Sequence, residues 1–167
     1  YAQWKPTPFL TGSLSVTAPT GDYNPDRLVN VGKNRWGFKP QLSYGIPVKP
    51  GQWFTVNSNA EFYTDNDDYF RGRTLSQKPL FTTEAHYSVN LNKALWLSAD
   101  AIYAYGGETA VDGIDKDNEQ STLRLGVSGS LNFTPADAMS VAVTSTVWKR
   151  EYTPEARTFM INFSHAW

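Results

Sequence analysis

The chain has 167 residues, no cysteine, and fifteen Lys and Arg against sixteen Asp and Glu, for a formal net charge of -1. That composition excludes a disulfide framework and a cysteine-based zinc site, and the interspersed charges leave no basic stripe to track phosphates, so nucleic acid is not an expected partner. Mean hydropathy is -0.46 and no run approaches the roughly 20 apolar residues of a membrane-spanning helix, which excludes a helical membrane protein.

A membrane can also be crossed by strands of about 9 to 11 residues that turn every second side chain to lipid, a pattern that keeps average hydropathy low. Eight segments of this kind follow one another. The first, at residues 9 to 18, sets Leu10, Leu14, Val16 and Ala18 against Thr11, Ser13, Ser15 and Thr17. The second sets Trp36, Phe38, Leu42, Tyr44 and Ile46 against Arg35, Lys39, Gln41 and Ser43, and the third sets Phe54, Val56, Ala60 and Phe62 against Thr55, Asn57, Asn59 and Glu61.

In the fourth, Phe81, Ala85, Tyr87, Val89 and Leu91 oppose Glu84, His86, Ser88 and Asn90. The fifth alternates from Leu95 to Tyr105 around Ser98 and Asp100, with Trp96 and Ile102 interrupting its polar side. The sixth sets Leu123, Leu125, Val127, Leu131 and Phe133 against Thr122, Arg124, Ser128, Ser130 and Asn132. The seventh sets Met139, Val141, Val143 and Val147 against Ser140, Thr144 and Thr146. The last carries Phe159, Ile161, Phe163, His165 and Trp167 on one face.

The connections alternate in length. Those at residues 47 to 51, 92 to 94 and 134 to 137 are short and rich in turn-forming Pro, Gly, Asn and Asp. Those at 19 to 34, 64 to 78 and 106 to 119 are long, and 150 to 156 is intermediate. Short turns at one end and long loops at the other mark an outer-membrane barrel, with every long loop outside if the final strand runs toward the periplasm. The expected fold is therefore all-β, an antiparallel transmembrane β-barrel forming one domain over residues 1 to 167 in the bacterial outer membrane. No secretory leader is readable from Tyr1 onward, so its removal, or a missing start, is expected.

Two stretches carry a family resemblance: Ala18-Pro19-Thr20-Gly21-Asp22-Tyr23 through Asn30-Val31-Gly32-Lys33-Asn34-Arg35-Trp36, and Tyr105-Gly106-Gly107-Glu108-Thr109 through Asp112-Gly113. They resemble the outer-membrane channel family labelled as the meta-pathway phenol-degradation proteins, and the likeness extends over most of the chain. The resemblance implies a pore of about twelve strands, often encoded near pathways for aromatic or hydrocarbon catabolism. Eight are readable here, so four N-terminal strands are expected to be missing, with Tyr1 to Trp4 as a remnant. Phe159, Ile161, Phe163 and the terminal Trp167 resemble the signal read by barrel-insertion machinery.

The expected function is a channel for passive diffusion of small solutes, including aromatic or hydrophobic carbon sources, with outer-membrane lipids as neighbours and no cofactor or metal. Its expected pore-lining residues are Arg35, Lys39, Gln41, Asn57, Asn59, Glu61, Glu84, His86, Asp100 and Arg124, where opposed charges would set a transverse field. Trp36, Tyr44, Tyr103, Tyr105, Phe133 and Trp167 are expected at the membrane interfaces; with Trp53 and Tyr63 several could instead form an aromatic track, but strand-end positions favour anchoring.

The alternative is a small plugged barrel with a structural or lipid-modifying role. His86, Ser88 and Asp100 supply the residue types of acyl transfer, but such residues are common on any polar barrel face, and no enzyme is expected. The acidic pieces Asp65-Asn66-Asp67-Asp68 and residues 112 to 119 offer oxygen ligands for calcium; solvated loops explain them more simply.

Overall fold

The computed structural model describes residues 6–151 and 153–166. The expected remnant at Tyr1 to Trp4, and Trp167 with its interfacial and insertion roles, lie outside the described residues. Among the described residues twelve strands run in chain order: β1 (Phe9–Thr17), β2 (Gly37–Lys49), β3 (Gln52–Tyr63), β4 (Asn66–Tyr69), β5 (Arg73–Gln77), β6 (Leu80–Asn90), β7 (Leu95–Gly106), β8 (Thr109–Val111), β9 (Ile114–Asp115), β10 (Gln120–Asn132), β11 (Asp137–Lys149) and β12 (Arg157–His165). No helix occurs among the described residues.

The eight long strands form one antiparallel sheet in the order β1-β2-β3-β6-β7-β10-β11-β12. They are the eight segments of period-two alternation. Residues opposed across an antiparallel pair share a face, so the register carries each face from strand to strand. One row runs Tyr44↔Val56↔Ala85↔Ala101↔Leu125 and the next Ile46↔Phe54↔Tyr87↔Ala99↔Val127↔Val143↔Phe159. Every member of both rows is apolar or Tyr. Many of these side chains are exposed, Val127 at 63% and Phe159 at 66%. The covered positions belong to the opposite, polar face, where Asn59, Ser98, Asp100, Thr122 and Ser130 are buried. Water-soluble sheets place these properties the other way round.

Short turns join the strands at one end. Gly51 has a positive φ of 73°, which a residue without Cβ adopts freely. Asn92 Oδ1 accepts hydrogen bonds from the Ala94 and Leu95 amides at 2.8 and 2.9 Å, and Thr134 Oγ1 accepts from those of Ala136 and Asp137 at 3.1 and 3.0 Å. Pro47, expected in a turn, instead lies inside β2. It sits where the register with β3 shifts between Pro47 and Lys49, a position that tolerates a residue with no N–H. A second shift, between Leu123 and Arg124, brings Trp148 opposite Leu123 on the apolar face.

At the other end, two long connections are not open loops. Strands β4, β5, β8 and β9 form a second antiparallel sheet in the order β4-β5-β8-β9. Arg71 and Gly72 take φ of 65° and 72° in the turn from β4 to β5, and Asp112 and Gly113 take 53° and 75° in the two-residue turn from β8 to β9. Both connections, expected as solvated loops, are instead a folded cap, because their short strands pair with one another across the two connections.

Candidate functional site: the polar face and its cap

Nine of the ten expected lining residues lie on strands of the main sheet, on its polar face. Lys39 and Gln41 come from β2, Asn57, Asn59 and Glu61 from β3, Glu84 and His86 from β6, Asp100 from β7 and Arg124 from β10. The register makes Gln41 opposite Asn59, Asn57 opposite Glu84, and His86 opposite Asp100. The charged residues occupy the middle of the sheet, while β1, β11 and β12 contribute mostly Ser, Thr and Asn to this face.

Two clusters form. Lys39 Nζ lies 3.1 Å from Glu61 Oε1, and the Tyr63 hydroxyl donates to Glu61 Oε2 at 2.5 Å. His86 Nδ1 lies 2.7 Å from Asp100 Oδ1 and its Nε2 3.3 Å from Glu84 Oε2, while Ser98 Oγ donates to Asp100 Oδ1 at 2.8 Å. An imidazole carrying both protons donates to both carboxylates. Arg124 stands apart, opposite Ile102, which separates it from Glu84 in the same row. The Lys39 pair is partly exposed, which limits its stability contribution to about 1 kcal/mol or less, so its principal consequence is local field.

His86, Ser88 and Asp100 border one cavity, but no hydrogen bond joins Ser88 to His86 among the described residues. Both ring nitrogens of His86 face carboxylates, and the serine bonded to Asp100 is Ser98, whereas Ser88 lies opposite Ser98 and Trp53 in the register. Sequence reading missed the roles of Ser98 and Tyr63. Their signal was the two-residue spacing Ser98/Asp100 and Glu61/Tyr63, which puts each pair on one face of a strand.

Arg35, expected on the polar face of the second strand, precedes β2 and belongs to the cap junction. It donates from Nη2 to Gln77 Oε1 and lies 4.2 Å over the Tyr63 ring, while Gln77 Nε2 donates to the Gly107 carbonyl at 3.0 Å. The centre of the cap is Asn66, only 1% exposed. Its Nδ2 donates to the Tyr23 hydroxyl at 3.0 Å and to the Lys33 carbonyl at 3.4 Å, and its Oδ1 accepts from Asn34 Nδ2 at 2.9 Å and the Asp68 amide at 3.1 Å. One amide thereby ties the 18–36 connection to the β3–β6 connection. Lys78 Nζ, 2.5 Å from Glu108 Oε2 and 3.4 Å from Asp115 Oδ2, ties the latter to the β7–β10 connection.

The expected interfacial aromatics Tyr44, Tyr103 and Tyr105 lie on the exposed apolar face. Trp36 precedes β2 and stacks on Phe38 with centroids 6.4 Å apart, and Phe133 follows β10 in the turn; both are exposed. Phe159, Ile161 and Phe163 form one apolar face of β12. Trp53 and Trp96 point the other way. They sit on the polar face, in rows with Ser88 and Ser130 respectively.

An antiparallel sheet with an exposed apolar face and a covered face rich in charge, hydroxyl and amide groups has the sidedness of an outer-membrane protein, and among the described residues it is open, with β1 and β12 unpaired with each other. The chain belongs to the family described as "Putative MetA-pathway of phenol degradation", which matches residues 1–164. Its fold is similar to that of an outer membrane channel from Pseudomonas putida F1, with 24% sequence identity and a TM-score of 0.85. That likeness covers 93% of this chain and 58% of the other, so the chain spans little more than half the length of its structural relative. No curated protein matches it.

Proposed function

We propose that the chain forms part of the wall of a passive channel for small solutes in the bacterial outer membrane, with its polar face turned to a water-filled lumen. The observation that carries this reading is the charged band on the covered face: Lys39, His86 and Arg124 among Glu61, Glu84 and Asp100, spread over five adjacent strands. Five of these six charges are in close contact, Lys39 with Glu61 and His86 with Glu84 and Asp100, whereas Arg124 has no ion pair among the described residues and needs another source of solvation. Solvation by a hydrated lumen meets that requirement.

Further strands complete the wall between β12 and β1 in this reading, to about twelve in all. Both edge strands have an unpaired side among the described residues, and the structural relative is longer. The family's description and the apolar walls of the lumen at Trp53 and Trp96 support aromatic or other hydrophobic carbon sources as solutes. Insertion machinery would read Phe159, Ile161 and Phe163 with Trp167.

Planar-bilayer recording of the full-length protein tests the reading. Steady single-channel steps are expected, with Lys39→Gln and Arg124→Gln each shifting the reversal potential toward cation preference. Electrical silence from protein shown to be folded would contradict it.

A further inference from the structure

Arg35 is incompletely partnered in a way the channel wall does not require. Its Nη2 is engaged by Gln77, but Nε and Nη1 are shielded and have no acceptor among the described residues. Burial lowers the affinity of this guanidinium for its proton, while Tyr63 and Asp65 act in the opposite direction through space. A shielded cationic group short of acceptors is unfavourable, and an anion placed beside it offsets its charge.

The surroundings favour an anion again. Arg35 borders a cavity of about 100 Å³ lined also by Thr17, Lys33, Lys39, Glu61 and Tyr63. Three cations there meet one lining carboxylate. That carboxylate is already occupied, Glu61 Oε1 by Lys39 and Oε2 by the Tyr63 hydroxyl. Lys33 Nζ and the Arg35 guanidinium carbon lie 5.6 and 4.2 Å from the centroid of the same Tyr63 ring, so both positive groups converge on its neighbourhood. The space exceeds what one water occupies and accommodates a carboxylate with the first carbons of its body beside Tyr63.

We propose that this cavity binds the carboxylate group of a small organic acid, drawn there by the combined positive charge of Arg35, Lys33 and Lys39. The proposal deepens the channel reading by naming a solute class, and rests on it only for the solute's route of entry.

The test is calorimetric titration of the full-length protein in detergent with benzoate and, separately, with neutral benzyl alcohol. Saturable benzoate binding is expected, with no comparable binding of the alcohol and affinity about tenfold lower in Arg35→Gln. Lys33 is exposed, so Lys33→Gln provides a variant that does not disturb packing, and about threefold weaker binding is expected there. Equal binding of the alcohol, or benzoate affinity unchanged in Arg35→Gln, overturns the proposal; should Arg35→Gln not fold, unchanged affinity in Lys33→Gln does so. The two readings fail separately. Conductance without benzoate binding removes the site and keeps the channel, and benzoate binding to a protein that never conducts does the reverse.

Discussion

The main sheet and the cap are both antiparallel sheets of one chain, yet different physics holds each together. The main sheet spreads its stabilisation over long ladders and two chemically distinct faces, so that no one side chain decides its structure. The cap is built from four short strands and closed around a single buried amide, Asn66, whose four hydrogen bonds reach residues 23, 33, 34 and 68. Redundancy makes the wall tolerant within each face and intolerant across faces. Concentration makes the cap sensitive at one position.

The largest expected effect breaks the wall's sidedness. Val127 lies near the middle of β10 on the exposed apolar face, and Val127→Arg should cost about 2–4 kcal/mol at mid-membrane depth. Ser128→Arg, one residue on and on the opposite face, should cost much less. Urea titrations in lipid vesicles, followed by tryptophan fluorescence, compare the two; equal costs would mean that the faces are wrongly assigned.

Next comes the cap. Asn66→Ala removes both amide donors and the acceptor from a buried site, and about 1–3 kcal/mol of local stability should go with them. Hydrogen exchange should quicken across residues 66 to 77 while the main-sheet amides remain protected. Slow exchange in the cap of the variant would remove Asn66 from its central role.

The smallest effect concerns Lys78. Its hydrogen bond to Glu108 raises its pKa above the ordinary lysine value. Because the folded pKa is the higher one, the stabilisation is complete below the unfolded pKa and is lost only as pH rises through the folded value, at strongly alkaline pH. Between pH 5 and 8 the tie should not respond to pH. Lys78 is exposed, so added salt should weaken it, slightly quickening exchange at residues 107 to 116 in wild type but not in Lys78→Gln. Equal salt responses in both would assign the effect to another contact.

The same contrast explains what the sequence discloses. Period-two alternation is a local signal repeated along eight segments, which is why the long strands and nine of the ten polar-face residues are readable without coordinates. The cap escapes that reading because its strands are three to five residues or shorter and its logic depends on contacts between loops far apart in sequence. Asn66 stands in an acidic run, Asp65-Asn66-Asp67-Asp68, which reads as solvent-exposed surface. One local clue was present in Asp112-Gly113, a dipeptide suited to the positive φ values of a tight hairpin. Arg35 falls just before β2 for a related reason, since alternation extends the strand signal through it, whereas Trp36 pairs with Thr64 in the connection rather than in the ladder. The Trp148 position follows from a bulge, which shifts register without any mark in the hydrophobic pattern.

Thiol labelling distinguishes a sheet with water on one face and lipid on the other, because the chain contains no cysteine of its own. Single cysteines at Asn57, Ser128 and Thr144, and at Val56, Val127 and Val143, would be introduced into the full-length protein in lipid vesicles and exposed to a charged, membrane-impermeant maleimide. Rapid labelling is expected at the first three and protection at the second three, with the boundary falling between adjacent residues. Uniform labelling of all six, or labelling of the valine positions alone, would contradict that sidedness.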